Sequence, residues 1–350
     1  MNINFFPQMP LMNPSFRPQA PARVRLEETG DRFEAGSSEV RAPNLAQMLA
    51  LTRPSRPDGN GVTILYIDDD RRLSTHGREV ARVGRTNAPG AGAVHVGLPA
   101  KYPGFKAEPG ASLESMSGQI DRSLADPFVA AVAALRNVGH AKVVNMSVGM
   151  PLVSVYERLL RALDPSEQRK DELAPKIVAL VQQRLEAEGS PAQLARQQFR
   201  QRVAELAEQG VVVVVAAGNW NQEKLAESNQ FWLQQNPMAH HNLLADPDSQ
   251  VIAVGATDGR GRMTSASAPG APTVTAPSHP PFGGPRGTSW AAPHVASTIA
   301  MMLQVNPRLT VQQIRQILIA SAQKQGHGRQ FEGHGEVNRE RAIELAREAA

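Results

Sequence analysis

Ser289 stands in the stretch GTSWAAPHVAS (287–297), between a threonine and a tryptophan and ahead of a run of small residues. Ser, Thr and Gly are favoured at helix starts and proline is tolerated in a first turn, so Ser289 reads either as a helix cap or as a nucleophile. A serine hydroxyl is a weak nucleophile until an imidazole takes its proton and a carboxylate orients that imidazole. Both partners occur where elements end or begin. Asp68 directly follows the apolar run VTILYI (62–67), and His76 comes eight positions later in STHGREVARV, with Thr75 able to cap a helix that starts at His76. Asp68, His76 and Ser289 are thus a candidate triad for acyl transfer. Asp69 and Asp70 follow Asp68, so Asp69 is its main rival, and the three carboxylates also read as an exposed turn or a cation site.

Positioning such groups needs a scaffold. Short β-branched runs recur from residue 62 onward: VTILYI, GAVHVG (92–97), KVVNMSVG (142–149), VVVVVAAGN (211–219), SQVIAVGA (249–256) and TVTA (273–276). Helical patterns lie between several of them, at 126–137, 191–209 and 290–304. Apolar strands that do not alternate with polar residues, separated by helices, predict a mainly parallel, doubly wound sheet covered on both faces, a three-layer α/β/α domain. Sites in such sheets form at the carboxyl ends of the strands. The strand ends here deliver Asp68, then Ser147, Val148 and Gly149, then Gly218 and Asn219.

Residues 61–350 are expected to form this domain, with a charged, helix-favouring insertion at about 152–190 on its rim. Thr310 and Gln313 have capping-box spacing, and a closing helix is expected from about 338. Residues 1–60 carry five prolines by position 21 and the loose stretch RPSRPDGNG, and read as a poorly structured extension with one short helix at 44–51.

Composition excludes several classes. The chain has 350 residues, 41% of them hydrophobic, and a formal net charge of +4 from 37 basic and 33 acidic residues. Without a basic run interleaved with aromatics, nucleic acid is not an expected partner. Zero cysteines excludes disulfides, thiol catalysis and Cys-based zinc sites. The most apolar run, VVVVVAA at 211–217, is too short to span a bilayer, so no membrane association is expected. MNINFFPQMPLMNPSF lacks the features of a secretory signal, which predicts a cytoplasmic protein and leaves leaderless secretion open. His240 and His241 are adjacent and cannot share one face of a regular element, and no metal site is assigned. No glycine-rich phosphate loop follows the first strand, which argues against nucleotide binding.

Taken together the motifs resemble those of the subtilisin-like serine peptidases, the subtilase family. ILYIDDD looks like the strand ending in Asp-Thr-Gly, and HGREVARV looks like His-Gly-Thr-His-Val-Ala-Gly. VVNMSVG is similar to the substrate-binding strand, VVVVVAAGN to the strand bearing the oxyanion asparagine, and GTSWAAPHVAS to the serine motif. VIAVGATDGRGRMTSASAPG and GHGEVNRERAIELA resemble the late strand and the C-terminal closure. The resemblance implies that Ser289 attacks a peptide carbonyl, His76 is general base then acid, and Asp68 fixes the His76 tautomer. It implies that Asn219 and the Ser289 N–H bind the oxyanion, and that Ser147, Val148 and Gly149 pair with an extended substrate. It implies room for an apolar side chain beside the small residues Ala216, Ala217 and Gly218, a polypeptide substrate, and no cofactor for the chemistry. A structural calcium ion is compatible with the resemblance, with no ligand set assigned.

The sequence departs from the pattern at several points. Asp69 and Asp70 replace Thr-Gly or Ser-Gly, and Arg78, Glu79 and Arg82 replace Thr, His and Gly after the catalytic His motif. The loop from Asp68 to His76 is shorter than usual, and Trp290 stands where the family has a smaller or more flexible residue. The alternative reading is a catalytically silent subtilase fold that binds peptides or partners. For residues 1–60 the expectation is an arm that lies over the cleft and is removed on activation, weighed equally against a disordered tail or a partner-recognition arm.

Overall fold

The computed structural model describes residues 56–69, 75–98, 105–108, 110–149, 152–166, 168–219, 241–264, 267–280 and 286–349. The helix expected at 44–51 and residues 1–55 of the extension lie outside them, as do Asp70 and His240. Residues 56–60, assigned by sequence to the extension, are tied to the domain instead. The N–H groups of Asp58 and Gly59 both donate to Gln304 Oε1, at 2.9 and 2.8 Å.

The chain alternates strands and helices in its first part: β1 (Thr63–Asp69), α1 (Thr75–Asn87), β2 (Gly92–Leu98), α2 (Ser117–Leu135) and β3 (Val143–Met146). Three helices then run in succession, α3 (Leu152–Leu163), α4 (Lys170–Glu186) and α5 (Pro191–Glu208), before β4 (Val212–Ala216), β5 (Ile252–Thr257) and β6 (Val274–Pro277). The remainder is helical: α6 (Thr288–Val305), α7 (Val311–Ser321), the single turn α8 (Arg329–Glu332) and α9 (Arg339–Glu348). The six strands form one sheet in the order β2-β1-β3-β4-β5-β6, and every neighbouring pair is parallel.

The apolar strands are buried on both faces because successive side chains point to opposite sides. Ile64 and Tyr66 of β1 and Val212 and Val214 of β4 pack with α1, α6, α7 and α9. Leu65, Ile67, Val213 and Val215 pack against α2 and α5 on the other face. Val212, Val213, Val214 and Val215 are at most 1% exposed, and each fully buried valine contributes roughly 1.5–3 kcal/mol. These are the three expected layers. In the 152–190 stretch, α3 and α4 supply Tyr156, Leu159 and Ile177 to a third apolar cluster completed by Ile120 and Leu124 of α2.

The chain leaves β1 toward β2 on one side and returns to β3 on the other, so the strand order reverses between β1 and β3. Crevices open beyond the carboxyl ends of strands at such a point. Asp68 and Ser147 lie there. No helix among the described residues is long and apolar enough to cross a membrane.

Candidate active site

A cavity of about 230 Å³ opens at this crevice, lined by Asp68, His76, Ser147, Val148, Gly149, Ala216, Gly218, Asn219, Asn242, Thr288 and Ser289. The candidate residues named from sequence therefore surround one space, with one exception. Ala217 is fully buried, its N–H donating to Val254 O and its carbonyl accepting from Asn242 N, because the strand's alternation turns it away. Arg78 and Glu79 do not line the cavity.

Asp68 and His76 meet because α1 approaches the end of β1 closely. A Cβ built on Gly77 would come within 3.0 Å of Asp68 Cβ, so the glycine permits the approach. His76 Nδ1 and Asp68 Oδ1 are 2.8 Å apart. The Asp68 side chain is 8% exposed and the imidazole 37%, so an enclosed carboxylate holds a ring whose other edge is accessible. Among the described residues helix α1 runs from Thr75, and the residues before it, where its cap would be judged, lie outside them. The Trp290 ring lies 5.0 Å from the His76 ring, centroid to centroid, tilted by 53°, and walls one face of the imidazole.

Ser289 is the second residue of α6, whose cap is Gly287. It is not a cap, and its backbone N–H belongs to the first turn, where N–H groups have no acceptor within the helix. Pro293 lies past that turn, a correction to its expected place in it. Proline has no N–H for the carbonyl four residues earlier, which here is the Ser289 carbonyl. Ser147 Oγ donates to that carbonyl at 2.9 Å instead. In return Ser289 Oγ donates to Ser147 O at 3.2 Å, and Asn145 Nδ2, fully buried, donates to Ser147 Oγ at 3.0 Å.

Asn219 is fixed by the start of the same helix. Its Oδ1 accepts from Thr288 N at 2.8 Å and from Thr288 Oγ1 at 3.0 Å. Gly287 has no side chain to cap α6, so Asn219 acts as a cap reaching across from the end of β4. Fixing Oδ1 on Thr288 commits the amide Nδ2 to the other direction. Ser278 Oγ accepts from Gly287 N at 2.9 Å and donates to Gly287 O at 2.8 Å, holding the approach to the helix.

Thr288, Ser278 and Asn242 were missed by sequence reasoning. Thr288 was visible as the neighbour of Ser289, but its grip on Asn219 requires two segments 69 residues apart to meet. Asn242 comes from a polar loop with no motif around it. His241 Nε2 donates to Ala245 O, 2.8 Å away, and burial lowers its pKa. Among the described residues no group of three or more His, Asp or Glu side chains is arranged to hold a metal ion.

The sequence profile of the Subtilase family matches residues 57–336. The chain belongs to the subtilase family, whose sheet and strand-end cleft it shares. Solved structures with the same fold include the protease domain of PatA, at 20% identity and a TM-score of 0.50, covering 85% of this chain and 99% of that one. MycP1, a serine protease described as an essential component of the type VII (ESX-1) secretion system, aligns at 19% identity with a TM-score of 0.50. That alignment covers 82% of this chain and 84% of MycP1.

Proposed function

We propose that the protein is a serine endopeptidase that hydrolyses polypeptides through an acyl-enzyme. The observation that carries this reading is the 2.8 Å contact of His76 Nδ1 with Asp68, on the rim of the cavity that also holds Ser289 and Asn219. A carboxylate on Nδ1 keeps the proton there and leaves Nε2 as the basic nitrogen. Nε2 takes the Ser289 proton as Oγ adds to the scissile carbonyl, and the imidazolium then protonates the leaving amine. Water, activated by the same nitrogen, releases the acid product and restores the serine.

Negative charge on the carbonyl oxygen is met by Asn219 Nδ2 and the Ser289 N–H, at a helix start whose dipole favours an anion. The unliganded hydrogen bond from Ser289 Oγ to Ser147 O fits this scheme. A substrate strand pairing with Ser147–Gly149 offers its own N–H to Ser147 O, which frees the serine hydroxyl for His76. Such catalytic contacts commonly tighten only with substrate bound.

A fluorophosphonate probe tests the reading. Covalent labelling of the wild type that disappears in Ser289→Ala, with the melting temperature unchanged, is the expected result. A folded wild type that stays unlabelled would instead assign the cleft a binding role without catalysis.

A further inference from the structure

The sequence expectation leaves room beside Ala216–Gly218 for an apolar substrate side chain. Asn242 borders that room. Its side chain crosses from one strand end to the other, with Nδ2 donating to Ala216 O at 2.8 Å and to Val148 O at 3.2 Å. Oδ1 accepts from Leu244 N at 3.1 Å, and the backbone N–H donates to Ala217 O at 2.8 Å. Both amide protons and the amide oxygen are engaged, and the residue is 3% exposed. The amide also lies against the Cα of Gly149, where any Cβ would collide with it.

A strand laid along Ser147–Gly149 with its carbonyl at Ser289 directs the preceding side chain into the gap between the ends of β3 and β4. Asn242 is the floor of that gap. Moving it aside would break its hydrogen bonds to Ala216 O and Val148 O, which costs free energy. Among the described residues lining the cavity the titratable groups are Asp68 and His76, which are engaged with each other. None of the other described residues lining the cavity carries a charge that would neutralise an incoming one.

We infer that Asn242 is a specificity-determining residue which closes the pocket preceding the scissile bond, so that cleavage follows small uncharged residues such as Gly, Ala or Ser. The inference rests on the peptidase reading above. Aromatic, long aliphatic and charged side chains are excluded by depth and by the saturated amide.

The test uses the full-length protein. Active serine is first counted with the fluorophosphonate, and peptides varied only at the residue before the scissile bond are then profiled. The wild type is expected to favour Ala over Leu or Phe by at least about tenfold in kcat/KM, since one methylene in such a pocket is worth about 10–200-fold. Asn242→Ala is expected to shift the Leu-to-Ala ratio toward Leu by about tenfold or more. Labelled wild type that cleaves after Phe or Leu as readily as after Ala overturns the pocket assignment and leaves the peptidase reading intact. A labelled Asn242→Ala variant with an unchanged ratio does the same. Absence of labelling overturns the peptidase reading and this inference with it. The wild-type profile decides the matter alone when Asn242→Ala does not fold.

Discussion

Asn219 and Asn242 are chemically identical side chains lining one cavity, yet their environments give them opposite work. Asn219 has its oxygen pinned by Thr288 and presents its nitrogen outward, while Asn242 has every polar atom engaged. Thr288→Val removes the hydroxyl half of that pin and leaves the N–H half. It is expected to lower kcat by about tenfold, the worth of roughly 1.4 kcal/mol, with KM little changed, and Thr288→Ser should restore the loss. Asn219→Ala should cost about 10²–10³ in kcat, the magnitude known for this donor in another member of the family. Steady-state kinetics on one peptide check both. Sequence made Ser289, His76, Asp68 and Asn219 legible because each sits at a strand end or helix start and belongs to a recognisable pattern. Asn242, Thr288 and Ser278 were not legible as positioning groups, since their partners come from segments distant in the chain. Trp290, unexplained by pattern alone, has a place beside the His76 ring.

The elements themselves were readable to within about three residues, because β-branched runs and helical periodicity both follow from burying one face or two. Helix α2 is the exception: it starts at Ser117, well before the expected 126, since Ile120 and Leu124 pack on the cluster with α3 and α4. That packing is tertiary and leaves no local signature. The capping box of α7 was readable, with Thr310 Oγ1 accepting from Gln313 N at 3.2 Å. Across the α2–α5 interface, Phe128 and Phe199 stack at 5.8 Å, tilted by 49°, both fully buried. Phe199→Ala leaves a large void there and is expected to cost about 3–5 kcal/mol in denaturant unfolding, with the labelled fraction of Ser289 unchanged in the surviving folded protein.

At the scale of the whole molecule, His294 and Asp246 are among the sites that make stability fall on acidification. Burial pushes the His294 imidazole down to about 3, helped by the charges of Arg339 and His279. The unfolded chain therefore takes up that proton first, and the stability held by neutral His294 is full above about pH 6.5 and is lost as pH falls toward 3. Burial alone would raise the Asp246 carboxyl, but Arg200 at 2.6 Å and Arg196 at 2.8 Å hold it down to about 2. Its contribution is present above about pH 3.9 and disappears toward pH 2. Melting temperatures should fall in two stages on acidification, and His294→Gln should reduce the stage between pH 6.5 and 4, to which His241 also contributes, while leaving the lower one.

The reciprocal hydrogen bonds between Ser147 and Ser289 join positions 142 residues apart. A chain in which β3 has formed but α6 has not yet docked holds no competent nucleophile, whatever else is folded. On the peptidase reading, chemistry would be withheld until α6 is seated against the end of β3, so that a partly folded molecule would not cut its neighbours or itself. The same serine that would perform the reaction is fastened to the edge that would receive the substrate, so assembly and activity become a single event.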